Sequence, residues 1–139
     1  MKLKILLVFL FVFVVGVGLA CGEENTSGDH IAVYYFHGNF RCNSCHKIEN
    51  YTKETVDKYF NKEIRSGDIV YKIVNVEQKE NVHFVEEYQL YTKSVVLSLV
   101  KDGKEIKYKN LTKVWEYLNS KTKFEDYEKK EIKEFLKEL

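Results

Sequence analysis

The chain of 139 residues has no proline, one methionine and only three cysteines. Without proline there is no cis-prolyl turn and no polyproline segment. The one methionine is Met1, so no other position can offer a thioether to a metal or a haem iron. Three cysteines cannot build the several widely spaced bridges of a disulfide-stapled extracellular domain. Charge of one sign is also missing: 22 Lys and Arg stand against 21 Asp and Glu, a formal net charge of +1. Setting aside Lys2 and Lys4 leaves −1, which provides no electrostatic basis for binding nucleic acid. No Gly-x-Gly-x-x-Gly fingerprint marks a dinucleotide site, and no resident cofactor is expected. What remains, 45% hydrophobic and 31% charged, is ordinary globular composition.

The first segment, "MKLKILLVFLFVFVVGVGLA" (1–20), has two lysines, an apolar run and small residues at its exit. That is the layout of a secretory signal peptide. The uncharged stretch from Ile5 to Ala20 falls short of the roughly 20 residues a comfortable membrane span needs. Gly18-Leu19-Ala20-Cys21 resembles a bacterial lipobox, with Gly18 where leucine is usual. Three readings follow: a lipoprotein with Cys21 lipidated, a cleaved soluble protein, or an uncleaved N-terminal anchor. Each places the folded part outside the cytoplasm. The organisation expected is a lipoprotein-type signal peptide (1–20), a polar tether (21–30) and one domain (31–139).

Within that domain only Cys42 and Cys45 remain, spaced as Cys-Asn-Ser-Cys. Loop-closure entropy makes so short a bridge a poor staple, so the pair points to chemistry rather than to stability. The surrounding pattern alternates strands and helices. "IAVYYFH" (31–37) is a continuous apolar run and reads as a buried central strand. From Cys45 onward Ile48, Tyr51, Thr55, Tyr59 and Phe60 mark an amphipathic helix ending at Ser66-Gly67-Asp68. "IVYKIVNV" (69–76) is a second strand, and 80–90 a short helix burying Val82, Val85 and Tyr88. Val95–Val100 is a third strand, and Asp102-Gly103 turns it into a fourth, "KEIKYK". Asn110 is expected to cap a helix carrying Leu111, Val114, Trp115 and Leu118. Thr122 to Glu125 is expected to box the start of a last helix with Phe124, Tyr127, Ile132, Phe135 and Leu139 on its apolar stripe. This order predicts an α/β fold with a parallel strand pair and an antiparallel edge.

The strand order, with a dithiol where the first strand passes into its helix, resembles the thioredoxin fold. "VNVEQKENVHFVEEYQL" (74–90) and "VVLSLVKDGKE" (95–105) extend the likeness over most of 31–118. A closer likeness is to a small bacterial thioredoxin-like family labelled nitrophenyl-compound nitroreductase subunit, ArsF type. It rests on Tyr35, Phe36, His37, Gly38, Arg41, Cys42, Cys45 and Glu49, with Asn110, Leu111 and Trp115 downstream. The resemblance implies a β-α-β-α-β-β-α core around a four-stranded mixed sheet, with an extra C-terminal helix. Tyr35 stands where thioredoxins carry a buried acid, and Ser94 or Val95 where they carry a cis-proline. The activity implied is thiol–disulfide exchange on a protein thiol or disulfide; a monomer is expected, and the membrane anchorage, not the resemblance, suggests a membrane electron carrier upstream.

A Cys-x-x-Cys at a helix start supplies an accessible thiolate and a second thiol within reach of it. Cys42, beside the positive end of the helix, is read as the attacking thiol and Cys45 as the resolving one. Arg41 and His46 are cations or potential cations that favour the Cys42 thiolate, or else solvated neighbours. His37 ends the strand facing the site, either as packing or as a participant; His83 reads as surface and Trp115 as core. Two rivals use the same residues. Cys42, Cys45 and His46 together spell a c-type haem attachment, for which His30, His37 or His83 would have to be the distal ligand, or the iron would be five-coordinate. The two thiols, with or without His46, also suit a soft metal or trivalent arsenic.

Overall fold

The computed structural model describes residues 28–139, so the signal-peptide and lipobox readings, Cys21 included, lie outside the described residues. Four strands form one sheet: β1 (His30–His37), β2 (Ile69–Asn75), β3 (Ser94–Lys101) and β4 (Lys104–Asn110). Their order across the sheet is β2-β1-β3-β4. β1 runs parallel to β2 and antiparallel to β3, and β4 returns antiparallel to β3. The helices are α1 (Asn43–Tyr59), α2 (Asn61–Ser66), α3 (His83–Glu87) and α4 (Lys121–Leu136). A parallel β1–β2 crossover followed by an antiparallel hairpin is the thioredoxin-like α/β arrangement, here with its C-terminal helix. Among the described residues no helix is long and apolar enough to cross a membrane.

β1 reads as an unbroken apolar run because it is central and covered on both faces. Ile31, Val33 and Tyr35 point into the main core with Ile48 and Val56 of α1 and Phe124, Ile132 and Phe135 of α4. Phe36 points to the other face, where Tyr88, Leu90 and Val96 make a second, smaller core. Phe124 is fully buried and meets Tyr51 edge-on with ring centres 5.3 Å apart. Truncating such a residue to alanine costs about 3–5 kcal/mol. The β3–β4 turn places Asp102 at φ 51° and Gly103 at φ 72°, the paired left-handed conformation that a two-residue hairpin matches to strand twist.

Four local expectations change. β1 begins at His30, one residue into the expected tether. Val82 is 52% exposed instead of buried, because the five-residue α3 turns Phe84 inward and leaves Val82 outside. Residues 111–118 are not a helix: Asn110 ends β4, and the Leu111 amide bonds to Val95 O at 2.8 Å, prolonging the ladder. Only a 3-10 turn at Thr112–Val114 fits before α4. Finally, α4 is capped by Ser120, whose Oγ accepts from the Lys123 amide, so Thr122 lies inside the helix.

Candidate functional site

α1 begins at the dithiol. Cys42 is its N-cap residue, with extended backbone, and its Sγ accepts the Cys45 amide at 3.2 Å. The Cys42 amide in turn points at Cys45 Sγ, 3.0 Å away. The two sulfurs therefore occupy the reciprocal positions of a capping box, satisfying helix N–H groups that have no partner within the helix. They are joined as a disulfide, with Cα atoms 5.0 Å apart. Cys42 is half-buried, whereas Cys45 is completely buried in the core. No acidic residue lies in the first turn of α1 to offset the helix's positive end. Reduction would thus favour the anion at Cys42 and disfavour it at Cys45.

Beneath the dithiol, Tyr35 is fully buried and its hydroxyl donates to the Cys45 carbonyl at 2.8 Å. Burial pushes Tyr35 up to about 12, against the opposing Arg41 charge and with help from Glu49. The hydroxyl is therefore a fixed donor at neutral pH. The Arg41 guanidinium sits 5.9 Å from the Tyr35 ring centre and forms a hydrogen-bonded ion pair with Glu49. Its Nε is buried with no hydrogen-bond partner.

The remaining expected site residues divide into near and far. His37 ends β1, stacks on Tyr35 with ring centres 5.8 Å apart, and donates through Nδ1 to Gly38 O at 2.8 Å. His46 is in the first turn of α1 but faces solvent. Ser94 opens β3, is buried, and donates to Thr92 O at 2.9 Å; Val95 is buried opposite Tyr35 in the β1–β3 register. No peptide bond among the described residues is cis. Trp115 is half-buried against the main core, its indole N–H donating to Lys93 O at 2.9 Å. The haem reading would need thioethers at the two sulfurs that here bond to each other. His30 and His37 stand at opposite ends of β1, and exposed His83 rests on Phe84, a residue of the second core. Among the described residues, no three His, Cys, Asp or Glu side chains come together as a metal site.

Two features emerge only in three dimensions. Glu49, four residues after Cys45, had a place in the family likeness but no chemical role. Its spacing to Cys45 and the basic residue before Cys42 were the available signal. The second is a cleft of about 150 Å³ between the β1–α1 loop and the segment before β3, lined by His37, Gly38, Glu77, Tyr91 and Lys93. Phe40 is 73% exposed at its margin with Lys93 Nζ 5.8 Å from its ring centre, and Tyr91 is 92% exposed.

No protein-family model and no curated protein matches the chain. Solved structures similar to it include a thioredoxin from Fasciola hepatica, at 23% identity and TM-score 0.42, covering 68% of this chain and 84% of that one. Thioredoxin f2 from Chlamydomonas reinhardtii has 14% identity and TM-score 0.42, covering 68% and 81% respectively. A malarial protein has 15% identity and TM-score 0.39, covering 58% and 80%. The fold assignment rests on the strand order and its parallel and antiparallel pairings, not on these likenesses.

Proposed function

We propose that this protein is a thiol–disulfide oxidoreductase that exchanges disulfides with protein thiols, Cys42 attacking and Cys45 resolving. The observation that carries the proposal is the asymmetry of the pair: one sulfur half-buried at the N-cap of α1, the other buried one turn inside. The first can meet a partner's sulfur, and the second is shielded from everything except the first. Exposed Phe40 and Tyr91 beside the cleft support a protein as the other reactant.

Of the residues that carry the likeness to the ArsF-type family, Tyr35 bonds to the Cys45 carbonyl and the Arg41–Glu49 pair lies beside the Tyr35 ring. We draw no flavin or nicotinamide step from that likeness. The apolar run before Cys21 supports an extracytoplasmic, lipid-tethered protein served by a membrane electron carrier. Radiolabelled palmitate incorporated into the full chain and lost in Cys21→Ala is the expected result; a soluble, unlabelled product would contradict the tether.

Trapping tests the exchange reaction. The Cys45→Ser variant is expected to hold a partner protein through Cys42 in a bond released by reductant. Trapping by Cys42→Ser in its place would reverse the two roles. Stoichiometric arsenite uptake by the reduced protein without any disulfide exchange would replace the proposal with a binding role.

A further inference from the structure

Resolution of a mixed disulfide requires Cys45 to lose its proton, and Cys45 is completely buried. Burial in apolar surroundings raises a thiol above its free value of about 8.5, so attack at neutral pH needs a proton acceptor close by. Arg41 has no acceptor atom. The Tyr35 hydroxyl is already donating to the Cys45 carbonyl and stays protonated. His46 faces solvent. His37 stacks on Tyr35, and with Nδ1 donating to Gly38 O it has only Nε2 free.

Glu49 is placed differently. It stands at i+4 from Cys45 on α1, where side chains are neighbours with Cβ atoms roughly 5–6 Å apart. Helical side chains lean toward the N-terminus, over the preceding turn. Arg41 precedes α1 and Glu49 follows Cys45, so the ion pair between them spans the turn that holds Cys45. The Glu49 charge also acts on Tyr35, whose hydroxyl touches the Cys45 carbonyl, and on Tyr71 of β2. The groups facing Glu49 are thus Arg41 from the loop, Tyr35 from β1 and Tyr71 from β2. Its side chain is 23% exposed, so a proton received there can leave for solvent.

We infer that the Glu49 carboxylate, held by Arg41, accepts the proton of Cys45 during resolution. The inference rests on the proposed exchange reaction. With an aryl disulfide such as dithionitrobenzoate, the Cys42 thiolate first attacks, forming a Cys42–aryl disulfide and expelling one aryl thiolate. The Cys45 proton then passes to Glu49 and the Cys45 sulfur attacks Cys42 Sγ. The Cys42–Cys45 bond forms, the Cys42–aryl bond breaks, and its electron pair leaves on a second aryl thiolate. The protein ends oxidised, the reagent reduced, and Glu49 returns its proton to solvent.

The test follows the two thiolate releases by stopped flow, using the reduced full chain in detergent with Cys21→Ser so that only two thiols remain. Glu49→Gln keeps the size of the side chain and an oxygen for Arg41 but removes the base. It is expected to lower the ratio of second to first rate by about a hundredfold at pH 7, within the range of general base catalysis. The deficit should shrink as pH rises past about 8.5, where solvent takes the proton. Glu49→Asp, which retains a carboxylate, should recover part of the ratio, and it serves if the Gln variant does not fold. An unchanged ratio, a pH-independent deficit, or a loss seen in His37→Gln and not in Glu49→Gln would overturn the inference. A parent chain releasing only one aryl thiolate would instead overturn the exchange reaction itself.

Discussion

At the N-terminal end of α1 the Glu49 carboxylate lies against the Arg41 guanidinium, whereas about one turn further on Glu128 of α4 meets only hydroxyls. Glu128 is completely buried. Thr52 donates to its Oε1 at 2.6 Å, and its Oε2 has no partner. Burial pushes this carboxyl from 4.5 up to about 8, with Thr52 and Thr55 opposing and Glu125 reinforcing. Two glutamates, one on α1 and one of α4 packed against it, thus have opposite surroundings. Glu49 is paired with a cation at the start of the helix, while Glu128, with no cation against it among the described residues, becomes a neutral acid in the core.

The largest expected effect comes from Glu128. Below about pH 4.5 its carboxyl is protonated in both the folded and unfolded chain. Between there and about 8 only the unfolded chain releases the proton, so stability falls as pH rises and levels off above. The fall attributable to this group is up to about 5 kcal/mol, at about 1.4 kcal/mol per pH unit. Urea unfolding at pH 5 and pH 8 should show it, and Glu128→Gln should remove most of the difference. A wild-type stability that is flat or rises across this window would break the comparison.

Next in size, Thr52→Val removes the donor to Glu128 Oε1 and is expected to cost about 1–3 kcal/mol at pH 5. It should also carry the decline in stability to higher pH, since the Thr52 bond holds the acid down. Tyr35→Phe loses one hydrogen bond to a helix carbonyl and should cost about 1 kcal/mol by urea unfolding. At the other end of α1, Arg41→Gln leaves Glu49 without its cation. Thiolate absorbance against pH should then place Cys42 ionisation higher than in the wild type. Smallest of all, Lys53→Ala removes an exposed pair with Asp57 and should leave the urea midpoint unchanged within error.

Much of this was legible in the residues. β1 announced itself because a central strand is apolar on both faces, and Asp102-Gly103 because few other dipeptides tolerate two left-handed residues. The dithiol's place at the start of α1 followed from the end of β1 and the helical spacing that runs on from Cys45. Leu111, Val114, Trp115 and Leu118 misled because helical spacing also describes turns that pack one side into a core. What decided the outcome was the Leu111–Val95 ladder bond, a long-range contact invisible in local sequence. Glu128 was overlooked although Phe124, Glu128, Ile132 and Phe135 share one buried stripe of α4. Reading for apolar residues alone passes over an acid among them. The Arg41–Glu49 pair escaped for a related reason: its partners are eight residues apart and meet only because the helix starts between them.

The measurement that bears most directly on the dithiol is a redox titration. The protein would be equilibrated with graded mixtures of oxidised and reduced dithiothreitol, and its free thiols counted by alkylation. The expected result is a reversible two-electron transition with one midpoint, approached equally from both sides and absent in Cys42→Ser. A Cys42–Cys45 bond that stays closed under excess reductant, or thiols that never reoxidise, would contradict exchange through this pair.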